Sequence, residues 1–387
     1  MSRRPVAVVG GYVIRYPVGG MTWVFLNYLL GLRDLGFEPV FMEAAGPQPC
    51  CYDVERERMT EDPAYGVAYW QATLAELGLE DLRWWYRDDA GDHGMTRDEA
   101  ISVLEGCAVL LDVSGSAWAP EFARAPRRVL VDTDCPFTQI RLADGERGWT
   151  EFVDSHDTWA TYAVNLADGS ARVPADGRTW IGTRPPIALA AFDASPMPDG
   201  AWTTVTSWTS YGSLYWDLEE FRQKDAEYVR LRDVPALAPE VDFELALGGD
   251  APRRQLADRG WRVIDPVAVS RTPFLFRDYL RRSRGELGVA KQAYVKARTG
   301  AFNDRSLAYL ASGRPVVCSD CGLDWLPLGE GLLTFTDARS AAEAVREVEA
   351  DPATHATAAR RLAEEWFGAD RVLGELLRDA DVAVPAS

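Results

Sequence analysis

Three lysines stand out in a chain that otherwise places arginine at its basic positions. Lysine and arginine together number 41, and only Lys224, Lys291 and Lys296 are lysines. An ammonium is a compact, mobile point charge and is not interchangeable with a planar guanidinium. Lys291 and Lys296 lie just before a stretch, Arg298 to Ser306, that reads as a polar helix start followed by an apolar helix face. A helix N-terminus gathers unpaired N–H groups and partial positive charge, which makes it a seat for an anion such as a phosphate. Asn303, Asp304 and Ser306 also suit an ordinary helix cap. Taken with the lysines, Asn303, Asp304, Arg305 and Ser306 form a candidate anion site, with Lys291 and Arg298 as its cations. Arg305 has a second use open to it, an ion pair with Glu286.

Proton transfer has two candidates in the first half. Asp134 follows the apolar run 128–131, and a side chain at the carboxyl end of a buried strand faces the crevice of an open α/β sheet. An aspartate there also serves as a turn former or cap. His156, one of three histidines, carries an imidazole that titrates near neutral pH. His93 and His355 read as surface residues. Asp132 and Asp134 have the Asp-x-Asp spacing of some metal sites, but helix ends and cations can neutralise a phosphate without a metal, and metal independence is expected.

The elements that must position these residues follow an alternating pattern. Apolar runs at 6–9, 38–42, 83–86, 108–113 and 128–131 read as strands, separated by helices at 19–35, 69–77 and 96–104. Residues 144–200 read as loop-rich and end in a proline-rich linker. Strands at 202–206, 243–247, 261–264, 314–318 and 332–335, another opening at Val289, and helices at 218–230 and 274–282 repeat the scheme, and helices at 340–349, 354–366 and 371–377 close it. This is the order of two parallel sheets covered by helices, with ligand expected in a cleft at the strand ends.

At 387 residues two domains are expected. The composition, 47% hydrophobic and 26% charged, is that of a soluble globular protein. A net charge of −18 argues against nucleic acid or an anionic membrane as partner. The first apolar run is too short for a signal peptide or a span. Cys318 and Cys321 are spaced as Cys-x-x-Cys, without a second pair to complete a zinc site. The six cysteines otherwise show no metal pattern, and a reducing cytoplasm is expected.

The stretch from Gly300 to Val317, followed by Ser319-Asp320-Cys321-Gly322-Leu323, resembles a group of bacterial GT-B glycosyltransferase-like proteins with a Phe-x-Asp-Arg-Ser helix start and a Gly-Arg-Pro-Val-Val strand. Gly19 and Gly20 after the first strand resemble the glycine-rich loop of the same fold. The resemblance implies two Rossmann-like domains facing across a cleft: an acceptor-binding domain at 1–190, a nucleotide-sugar-binding domain at 200–365, and a helical tail at 366–387 that packs back on the first domain. It implies transfer of a sugar from a nucleotide-sugar donor to a small-molecule acceptor, with Gly19, Gly20, Ser207, Thr209, Asp320 and Gly322 joining the donor contacts. An arginine-rich, lysine-poor chain suggests a high-GC genome and secondary-metabolite biosynthesis. A nucleotide-sugar epimerase or a non-catalytic binding protein would share the architecture. The chain departs from the family in two respects: the two glutamates, with seven residues between them, of many retaining members are replaced by Ala301 and Tyr309, and the His-Gly-Gly of many inverting members is absent.

Overall fold

The computed structural model describes residues 4–174 and 176–385. Short apolar runs, buried on both faces in the central strands, build two largely parallel sheets, as expected where helices cover both sides. The first sheet has eight strands in the spatial order Trp180–Gly182, Thr158–Thr161, Arg128–Asp132, Val109–Val113, Val6–Gly10, Glu38–Ala44, Arg83–Arg87 and Asp92–Gly94. Only the last of these runs antiparallel to its neighbour. The second sheet has six parallel strands in the order Arg262–Ile264, Phe243–Gly248, Trp202–Ser207, Gly285–Gly288, Val316–Ser319 and Leu332–Phe335. In both, the first strand in sequence lies inside the sheet, and the order reverses beside it. The two reversals, at Val6–Gly10 against Val109–Val113 and at Trp202–Ser207 against Gly285–Gly288, are the switch points where such sheets bind ligands.

Helix Gly19–Asp34 joins the two units. Trp23 Nε1 donates to the Pro273 carbonyl at 2.8 Å. A Cβ on Gly19 would lie 2.2 Å from the carbonyl oxygen of Thr272, so only glycine allows this approach. Helix Ala369–Asp379 crosses back onto the same helix: a Cβ on Gly31 would lie 2.6 Å from that of Ala369, and Ile187 bridges to Gly368. No helix among the described residues is long and apolar enough to cross a membrane.

Three local expectations need correction. The zone 144–200 is not merely loop: it holds helix Arg147–Asp154 and strands Thr158–Thr161 and Trp180–Gly182. These elements run for only three to eight residues, too few for a period to be counted in either. The helix expected at 218–230 begins only at Lys224, because Leu214–Trp216 and Glu219–Phe221 pair as a hairpin. Its turn residues Asp217 and Leu218 have φ of 50° and 64°, the geometry of a tight hairpin turn usually signalled by Asn or Gly. Finally, no strand opens at Val289. The strand is Gly285–Gly288, and Lys291 is the N-cap of a short helix, Gln292–Ala297.

Candidate active site

Two contiguous cavities, of about 150 and 540 Å³, open between the strand ends of the two sheets. The smaller has Val289, Ala290, Lys291 and Ser319 on one wall and Thr133 and Tyr162 on the other. The larger runs along helix Gly19–Asp34, past Ser207, Gly248 and Pro266. Lys224, Asn303, Asp304 and Arg305 line both. The vertex is therefore the start of helix Asp304–Ala311, where the Asn303 side chain accepts from the Arg305 amide at 2.8 Å. Ser306 is only 3% exposed, and its hydroxyl opens on the smaller cavity with no hydrogen-bond partner among the described residues.

The basic side chains divide into two kinds. Lys224 donates from Nζ to Thr206 Oγ1 at 2.7 Å and makes no ion pair among the described residues, although the charges of Glu286 and Asp134 reach it. Removal from water, aided by Arg305 and Lys291, holds its ammonium well below the usual lysine range. Arg305 reaches the vertex but is spent on Glu286: Nε donates to Glu286 Oε1 at 2.5 Å and a terminal nitrogen to the Val205 carbonyl at 3.2 Å. Glu286 is fully buried and its Oε2 has no partner.

Lys291 is saturated. Its Nζ donates to both oxygens of Asp134, at 2.8 and 2.9 Å, and to the Tyr211 hydroxyl at 2.6 Å. It also sits 4.6 Å from the Tyr211 ring centroid and 5.1 Å from that of Phe137. The Tyr294 hydroxyl completes the cluster by donating to Asp134. Asp134 thus ties the first unit to the second, and a proton from an acceptor would have to compete with an ammonium for it.

The remaining expected residues separate. Arg298 pairs with Asp320 and Asp324 at 3.2 Å each, and Asp320 also accepts the Gly322 amide at 2.8 Å. Asn165 of the first unit donates to the carbonyls of Arg298 and Gly322. A Cβ on Gly322 would lie 2.6 Å from that Asn165 amide nitrogen. These three residues form a strut between the units and line neither cavity. Gly20 and Ser207 line the larger cavity, Gly19 packs against Thr272, and Thr209 is exposed. His156 is buried in the first unit, with Nε2 3.0 Å from Asp112 Oδ2 and Nδ1 3.0 Å from the Phe152 carbonyl. Asp112 in turn accepts the amides of Ser116 and Ala117, so His156 braces the loop after its strand and lines neither cavity. Lys296 pairs with Glu219 of the hairpin.

Thr206 escaped the sequence reading, and Lys224 was not assigned to the site by it. Lysine scarcity pointed at Lys224, but 67 residues separate it from Lys291 in the chain and only the fold joins them. Cys318 and Cys321 line the smaller cavity with thiols pushed up by burial, Cys321 to about 12, so neither is a thiolate near neutrality. Tyr309 turns into the core, its hydroxyl 2.6 Å from Thr203 Oγ1. The position of that helix that faces the cleft is Ala308.

No family model and no curated protein matches the sequence. Solved structures do. The chain superposes on AviGT4, a glycosyltransferase involved in avilamycin A biosynthesis, with a TM-score of 0.56 over 97% of each chain at 15% identity. Anabaena Alr3699/HepE in complex with UDP and glucose gives 0.55 at 10% identity, over 97% of this chain and 100% of that one. An α-glucosyltransferase in complex with UDP and a DNA 13-mer containing an HMU base gives 0.54 at 11% identity, over 98% and 100%. The chain has the GT-B fold. In GT-B terms the two switch points face each other, and the cavities fill the interdomain cleft between them.

Proposed function

We propose that this protein transfers a sugar from a nucleotide-sugar donor to the hydroxyl of a small-molecule acceptor. The observation that carries the reading is the vertex: two cavities of unequal size meet at a helix N-terminus and a lysine without a counter-ion. The larger cavity suits a nucleoside, the vertex its diphosphate, and the smaller cavity the sugar. Helix N–H groups and Lys224 supply the positive charge that the leaving diphosphate needs, which supports transfer without a metal. In the transfer the acceptor oxygen bonds to the anomeric carbon. The carbon–oxygen bond to the diphosphate breaks with its electron pair on the phosphate, and the acceptor hydroxyl's proton passes to solvent water. That UDP is bound by HepE and by the α-glucosyltransferase makes UDP-sugars the first donors to try, and the likeness to AviGT4 supports a natural-product acceptor.

The test is calorimetric titration with UDP, dTDP, GDP and ADP, with and without Mg²⁺. Saturable binding of one nucleotide, unaffected by Mg²⁺ and weakened in Lys224→Ala, is expected. Binding that demands Mg²⁺ would remove the metal-free reading, and no binding of any nucleotide would remove the donor site.

A further inference from the structure

Asp304 is an odd residue for the seat of a diphosphate. It is the first residue of the helix whose N–H groups point to the vertex, and it lines both cavities. An ionised carboxylate there would repel the donor's phosphates at close range. Nor is it neutralised by the nearby cations. Arg305 turns to Glu286 and Lys224 to Thr206, and Asp304 enters no ion pair among the described residues.

From the first unit, three phenols approach it. Tyr162 faces the Asp304 carboxyl and is hydrogen bonded to Tyr28 at 2.9 Å, both hydroxyls being buried. Tyr12 stands further off, near Ser114 and Arg15. Removal from water raises the pKa of this carboxyl to about 7, against the opposing pull of its own backbone amide and of the Tyr162 hydroxyl. A diphosphate placed beside it would raise its proton affinity further. A neutral carboxylic acid in a poorly hydrated site donates a hydrogen bond where a carboxylate would repel.

Resting on the donor-site reading above, we infer that Asp304 binds the donor as a protonated acid, donating its proton to a phosphate oxygen at the vertex, so that each donor is bound together with one proton. The Ser306 hydroxyl two residues further on, unpartnered among the described residues, gives the same diphosphate a second donor.

The consequence is a pH dependence in affinity that belongs to the protein. UDP-glucose is the probe, because its diphosphate is esterified at both ends and does not titrate near neutrality. Its affinity is expected to be level below pH 7 and to fall about tenfold for each pH unit above it, as a one-proton linkage requires. Lys224, whose ammonium is also destabilised, takes up protons beside a diphosphate too, so the wild type alone does not isolate Asp304. Asp304→Asn, which keeps the shape and the hydrogen-bond donor, should bind at least as tightly at pH 8 and lose the break near pH 7. Tyr162→Phe, which deletes one of the two groups that favour the ionised carboxylate, the other being the Asp304 backbone amide, should move the break to higher pH. Calorimetry of the wild type at pH 8 in two buffers of different ionisation enthalpy should show proton uptake larger than that of Asp304→Asn by nearly one proton. An identical pH profile and identical uptake in wild type and Asp304→Asn would overturn the assignment while leaving the donor site standing. Absence of UDP-glucose binding at every pH, alongside binding of another nucleotide, would call for the same test with that nucleotide's sugar. Absence of all nucleotide binding would overturn both.

Discussion

Lys224 and Lys291 approach the same cleft and are treated in opposite ways. Lys291 has a bidentate carboxylate, a phenol hydroxyl and aromatic faces around its ammonium. Lys224 has one threonine hydroxyl, and Arg305 and Lys291 act on it more strongly than the more distant Glu286 and Asp134. Breaking a satisfied pair leaves an uncompensated charge, so Lys291 is suited to holding two domains in register. A cation left without a counter-ion is costly to the folded protein and becomes an advantage only when an anion arrives. The same contrast separates Arg298, paired twice, from the open hydroxyl of Ser306. On the proposed reading of this cleft, incomplete pairing marks the binding surface and complete pairing marks the frame.

The contrast can be broken at either lysine. The largest effect is expected from Lys224→Ala: donor affinity should fall by about 10- to 100-fold, the loss of one charged hydrogen bond of roughly 1.5–3 kcal/mol, with thermal stability unchanged or improved. Calorimetry and a melting curve on the same preparation check both halves. Lys291→Ala should do the reverse. It frees Asp134 and is expected to cost about 1–2 kcal/mol of stability, since the pair is part-buried, while donor affinity changes by less than about fivefold. A large affinity loss with unchanged melting would exchange the roles of the two lysines.

A pH prediction sharpens the frame side. Glu43 is fully buried, accepts the amides of Ile14 and Arg15 at 2.7 Å each, and is pushed up to about 7 by burial. Burial likewise raises Asp132 to about 6. In the unfolded chain both titrate near 4. Between those values the folded state holds protons that the unfolded state has released, so stability should fall as pH rises from about 5 to 7 and level off above. Melting temperatures across that range, flattened in Glu43→Gln, test this. A rise over the same window in the wild type would show that these carboxyls are not the governing groups. The smallest effect is expected at Lys296→Ala: its exposed partner Glu219 makes the pair worth at most about 0.5–1 kcal/mol, and donor affinity should not move.

The fold was legible because its strands are short apolar runs between amphipathic helices, and the expected α/β scheme with two facing Rossmann-like sheets is the one observed. The hairpin at Leu214–Phe221 was hidden by a turn without Asn or Gly, and the edge strands of the first sheet by their length. The helix start at Asp304 was readable from Asn303 and from the switch to an apolar face. What no local pattern conveyed was which basic residue would find a partner. Glu286 takes Arg305, Asp134 takes Lys291, and Asp320 takes Arg298, each across a sequence gap that only the folded sheets close. Rarity of lysine marked Lys224, yet its neighbours in sequence gave no hint that it would line the same cavities as the start of helix Asp304–Ala311.

A crystal structure of the protein with the bound nucleoside diphosphate tests the central claim most directly. The account predicts phosphate oxygens within hydrogen-bond distance of Lys224 Nζ and of the N–H groups at the start of helix Asp304–Ala311, with the Lys291–Asp134 pair intact. A diphosphate seated on Lys291, with Asp134 displaced and Lys224 still turned to Thr206, would contradict it.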